Sequence, residues 1–160
     1  MASLPQLFEE DIRVLDMALE DLLSRSEATV TLLIDKGGFL ISKRGSADQI
    51  DATTLAALAA GSYAATETIA SLVGETNFSS IYQQGDKFSL LVQNVDEYCL
   101  LSVVFKASIS VGMVKFYATD TTQQIAEQLK SAQDRDPNAG LDLSVMDVAD
   151  TSLVFRKKPA

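Results

Sequence analysis

Apolar residues recur at three- and four-residue steps between Pro5 and Arg25: Leu7, Phe8, Ile12, Leu15, Leu19, Leu22 and Leu23. Glu9, Glu10, Asp16 and Glu20 fall between them. That spacing predicts an amphipathic helix over residues 5–25, with Pro5 in its first turn and its acids in water. The period then changes. Thr29 to Ile34 is β-branched and apolar, Asp35-Lys-Gly-Gly38 has turn chemistry, and Phe39 to Ser42 returns as a second strand. These form a predicted hairpin, and residues 43–50 are a polar connection out of it. Phe78 to Gln84 reads as a strand too polar for a core and suited to a sheet edge. Phe88 to Val95 follows, and then Tyr98 to Phe105, which is apolar on both faces and therefore central. Ser110 offers an N-cap to a last helix lined by Val111, Val114, Ala118, Ile125 and Leu129, although Lys115 to Thr119 also alternates like a strand. Asp134-Arg-Asp-Pro-Asn-Ala-Gly140 breaks the pattern.

Between the hairpin and the third strand lies DATTLAALAAGSYAATETIASLVG, residues 51–74. It predicts one long helix, with Asp51 or Thr53 as N-cap and Gly74 as the closing residue. Glu67 is its single charge after the cap, so it lacks the polar face that a surface helix keeps for water. At ~100° per residue two stripes separate. Leu58, Ser62, Ala65, Ile69 and Leu72 carry the larger aliphatic groups and read as the core face. Ala57, Gly61, Ala64, Thr68 and Ser71 form a stripe of small residues beside it. An Ala-rich helix of high propensity produces such a stripe by itself. Gly61, costing a helix roughly 1 kcal/mol against Ala, favours a close contact there.

Two helices and five strands followed by a helix, with hairpins between, indicate an α+β domain in the order α-β-β-α-β-β-β-α. The expected domain covers residues 1–133. Residues 134–160 form a tail that is either disordered or orders on a partner.

Composition narrows the function. The 160 residues carry a net charge of −9, which argues against nucleic acid and anionic membrane as partners. The long helix, built of Ala, Ser and Thr around Glu67, is a poor membrane span, so no membrane insertion is expected. The start has no signal-peptide pattern, and a single cysteine, Cys99, points to a reducing, cytoplasmic setting. There is no histidine, Cys99 lies in an apolar strand, and no serine sits in a nucleophile motif. Gly37-Gly38 lacks the spacing of a phosphate loop. No metal or cofactor is expected, and the chain should act by contact rather than as an enzyme.

The ordered series LLIDKGGFLIS, DATTLAALAAGSYAATETIASLVGE, FSSIYQQG, LLSVVF and SVGMVKF resembles the roadblock family of dynein light-chain-like domains, over residues 7–133. The resemblance implies a homodimer, with the sheet extended across the twofold axis by Phe78 to Gln84 and the long helices antiparallel. It is nearest to the bacterial members that stimulate a Ras-like small GTPase of the MglA type without an arginine finger, in cell polarity and motility. Such proteins are cytoplasmic and can be recruited to a cell pole. The implied GTPase-contacting residues are Ala57, Ala60, Gly61, Ala64, Glu67, Thr68 and Ser71, with Ala64 and Thr68 at the family's contact positions. The implied dimer seam is Ala56, Ala59, Tyr63, Phe78, Ser80, Ile81 and Tyr82. A scaffold indifferent to nucleotide state and a small-molecule sensor are the other readings.

Overall fold

A computed structural model describes residues 3–135. Its elements are α1 (Glu9–Ser26), β1 (Val30–Asp35), β2 (Leu40–Gly45), α2 (Ala52–Val73), β3 (Ser80–Gln84), β4 (Phe88–Asn94), β5 (Cys99–Lys106) and α3 (Val111–Asp134). This is the expected α-β-β-α-β-β-β-α order. The five strands form one antiparallel sheet in the order β2-β1-β5-β4-β3. The continuously apolar β5 is indeed central.

Strand alternation sends side chains to two cores. Leu33, Leu91, Leu101, Val103 and Phe105 face a layer made of α1 and α3, where Leu15, Leu19, Leu22, Ile125 and Leu129 meet them. Val30, Leu32, Ile34, Val92, Leu100 and Val104 face α2. The sheet is therefore sandwiched between two helices on one side and a single helix on the other. Ser102 lies on β5 with its hydroxyl buried and without a hydrogen-bond partner in the described residues.

The two largest boundary differences from the sequence reading are in α1 and β2, and the last helix starts after Ser110 as expected. α1 begins at Glu9, not Pro5, because the Asp11 carboxylate accepts the Phe8 N–H at 2.7 Å and closes the first turn there. β2 runs on through Lys43, Arg44 and Gly45, with Arg44 held 2.6 Å from Asp16 of α1. Lys115 to Thr119 is helical, since Val114 and Ala118 are fully buried one turn apart. Residues 136–160, nearly all of the expected tail, lie outside the described residues.

Asp11 is fully buried and is the charged centre of the α1–α3 layer. It accepts from both terminal nitrogens of Arg135, at 2.7 and 2.9 Å, and from Gln128 at 2.7 Å. The Arg135 guanidinium also sits 4.4 Å from the centre of the Phe8 ring. Hydrogen bonding from Arg135 is the main cause that lowers the Asp11 carboxyl to about 2, against an opposing effect of burial. The acids of α1 are thus not all solvated. One of them ties residue 11 to residue 135.

Candidate interaction surface on α2 and β3

α2 starts and stops where its capping residues dictate. Asp51 accepts the Thr54 N–H and hydroxyl, and Gly74 closes the helix with a φ of 80°. The hydroxyl and N–H of Thr54 lower the Asp51 carboxyl below its usual value.

The orientation of the helix corrects the sequence reading. The residues turned to the sheet are Ala52, Ala56, Ala59, Ala60, Tyr63 and Ala70. Leu58, Ile69 and Leu72, expected in the core, are 67%, 48% and 80% exposed. The physical reason lies across the contact. The sheet supplies the bulk there through Val30, Leu32, Ile34, Leu100 and Val104, so the helix needs alanines to approach it. Ala56, Ala59 and Tyr63, assigned to a dimer seam, and Ala60, assigned to a GTPase contact, therefore pack inside their own chain. Ala56 has no exposed surface at all.

What α2 shows to solvent divides into two flanks with different neighbours. Leu58, Ala65, Ile69 and Leu72 form an exposed aliphatic flank. Its Leu58 end borders the β3–β4 hairpin: Leu55 and Leu58 face Gln83, Phe88 and Leu90 across an open groove of about 590 Å³. The other flank is the small stripe. Ala57, Gly61, Ala64, Glu67, Thr68 and Ser71 are all exposed. At Ala57 it borders the β1–β2 turn, where Gly38 has a φ of 97° and a Cβ would stand 3.2 Å from the Ala57 Cα. Nothing in the described chain comes within 4 Å of where a Gly61 Cβ would be. The small size at position 61 is not required by this chain's own packing.

β3 is the second part of the surface. It pairs with β4 in unbroken register from Ser80↔Gln93 to Gln84↔Ser89, and its other edge has no partner among the described residues. Ile81 is half-buried toward α2, while Tyr82 is 40% exposed and stacks on Phe105 from the opposite face. Phe78 and Ser80 are half-buried, and Phe78 precedes the strand rather than belonging to it. Its carbonyl accepts the Tyr63 hydroxyl at 2.9 Å. Burial and the nearby Glu67 push the Tyr63 phenol above its usual value.

Cys99 is fully buried, and burial pushes its thiol up to about 12. Among the described residues no group of His, Cys, Asp or Glu is arranged to hold a metal ion, and no helix is long and apolar enough to cross a membrane. Of the four described arginines, Arg44 pairs with Asp16, Arg25 with Asp21 and Arg135 with Asp11, while Arg13 lies exposed on α1. None is on α2.

Comparison with known proteins places this geometry. The chain resembles Myxococcus xanthus MglB at 30% identity and a TM-score of 0.75, over 82% of this chain and 98% of that one. It resembles the gliding protein MglB of Thermus thermophilus at 28% identity and a TM-score of 0.75, over 82% and 99%. A structure described as MglB with tetrameric arrangement gives 28% identity and a TM-score of 0.77, again over 82% and 99%. A search of curated proteins returned no match. A family model for the Roadblock/LC7 domain matches residues 14–105, from the middle of α1 to the end of the central strand. The chain belongs to the Roadblock/LC7 family.

Proposed function

We propose that the chain is an MglB-like regulator that acts as a homodimer on a Ras-like small GTPase of the MglA type. It stimulates GTP hydrolysis in control of cell polarity or motility. The observation that carries this reading is α2 itself: an exposed helix with one charge after its cap, in a chain 30% identical to an MglB. A lone monomer has no use for such a surface.

The two flanks divide the work by their neighbours. The aliphatic flank of Leu58, Ile69 and Leu72 comes up to Gln83 and Gln84 of β3 at Leu58, and one second copy covers both the flank and the β3 edge. Phe78, Ser80, Ile81 and Tyr82 stay in that seam, and the three leucine and isoleucine side chains replace Ala56, Ala59 and Tyr63. The small stripe lies beside the β1–β2 turn and is left for the GTPase: Ala57, Gly61, Ala64, Glu67, Thr68 and Ser71. Without an arginine on α2, stimulation works by favouring the hydrolysis-competent conformation of the GTPase rather than by inserting a finger.

The test mixes the protein with an active MglA-type GTPase and follows phosphate release. Ala64→Arg abolishes binding and stimulation while the dimer persists, because a long charged side chain prevents close helix contact. If Ala64→Arg yields monomers, the small stripe is the seam and the two flanks exchange roles. Binding that is equal for GTP-like and GDP states, with no stimulation, makes the protein a scaffold instead.

A further inference from the structure

α2 packs mainly over β1, β2 and β5 and reaches the β3–β4 hairpin through Val92, Leu90 and Ile81, while an open groove separates Leu55 and Leu58 from the far end of that hairpin, at Gln83 to Leu90. The covalent path from helix to strand, residues 74–79, has no regular structure beyond the turn at Gly74, and Gly74, Glu75, Thr76 and Asn77 are exposed. At the near end of β3, away from the groove, one side-chain hydrogen bond among the described residues ties α2 to this path: Tyr63 donates to the Phe78 carbonyl at 2.9 Å, two residues before β3 begins. The Tyr63 ring is 3% exposed and packed in the α2 core, with the Lys36 ammonium of the β1–β2 turn 5.8 Å from its centre.

We propose that Tyr63 is a positioning residue that fixes the edge strand relative to the helix, so that the β3 edge and the aliphatic flank of α2 engage a second copy together. This rests on the pairing of two copies argued above. A two-part surface binds tightly only when both parts are held at the separation the partner presents. If the parts float, the second contact loses the advantage of high local concentration. A ladder of backbone hydrogen bonds is demanding in this respect, since strands must sit about 4.8 Å apart and in register. The ladder to β4 and the packing of Ile81 hold β3 itself, and Tyr63 fixes where it starts: its ring is locked in the core and its hydroxyl holds the entry to β3.

Tyr63→Phe removes the hydroxyl and keeps the ring, so the core packing survives. Sedimentation equilibrium of the full chain then shows the dimer dissociation constant raised roughly three- to tenfold, the size of one hydrogen bond. Hydrogen exchange, measured at concentrations where both proteins are monomeric, is faster at the amides of Ser80 to Gln84 and unchanged in the core of β5. A dimeric wild type with an unchanged dissociation constant and unchanged exchange in Tyr63→Phe overturns the role of Tyr63 while leaving the regulator reading intact. A wild type that stays monomeric at every concentration overturns the pairing and the proposal with it.

Discussion

The two edges of the sheet, β2 on one side and β3 on the other, each present an outer row of backbone N–H and C=O groups with no strand beyond them among the described residues. β2 is defended. Its register with β1 shifts between Leu33 and Ile34, Lys43 stands exposed on it, and Arg44 is drawn onto α1 by Asp16 at 2.6 Å and Glu20 at 3.9 Å. Irregular register and charge are how proteins keep edge strands from pairing with strangers. β3 has neither. Its five residues, Ser-Ile-Tyr-Gln-Gln, are uncharged and its register with β4 is regular. An edge left in that condition suits the proposed pairing with a second copy.

The largest effect comes from giving β3 the protection that β2 has. Ile81→Lys with Gln83→Lys puts like charges against each other across any paired copy. Such a clash costs several kcal/mol, so the dimer dissociation constant rises at least ~100-fold by sedimentation. A change that touches neither edge should separate folding from pairing. Asp11→Asn loses the charge held by Arg135 and lowers unfolding stability by about 2 kcal/mol in denaturant titrations, with the dimer constant unchanged.

Acid does the same to the wild type. Because the folded carboxyl titrates near 2 and its ordinary value is 3.8, the pair contributes fully above pH 3.8 and is lost as the pH falls toward 2. Smaller still is Leu72→Asp on the aliphatic flank. It weakens the dimer about tenfold, from the lost burial of one leucine, and leaves monomer stability within about 0.5 kcal/mol. Lys43→Val, which removes one guard from β2, leaves the oligomeric state unchanged because the register shift and Arg44 remain.

Periodicity and capping carried the architecture. The change from helical to strand spacing after Arg25, the Gly-Gly turn, the Asp51 cap and the doubly apolar β5 are local signals, and each became the expected element. The facing of α2 was harder. Periodicity separates Leu58, Ile69 and Leu72 from the small residues, but neither stripe faces in: the sheet takes a third face, of Ala52, Ala56, Ala59, Ala60 and Tyr63. The usual rule puts the larger side chains inside, and here the bulky sheet reverses it. With that reversal went Ala56, Ala59, Ala60 and Tyr63, whose places depend on contacts with strands distant in sequence. For the same reason Asp11 did not stand out among the acids of α1. Its partner is 124 residues away, and no spacing pattern reaches that far.

That separation has a consequence for the kinetics of unfolding. A contact between residues 11 and 135 closes a loop around almost the whole described chain. Its closure entropy is best met after the sheet and helices have already brought the two sites together. Interactions absent from the folding transition state act mainly on the rate of unfolding. The Asp11–Arg135 pair is then a late fastening, which slows escape from the native state while leaving the approach to it nearly unchanged.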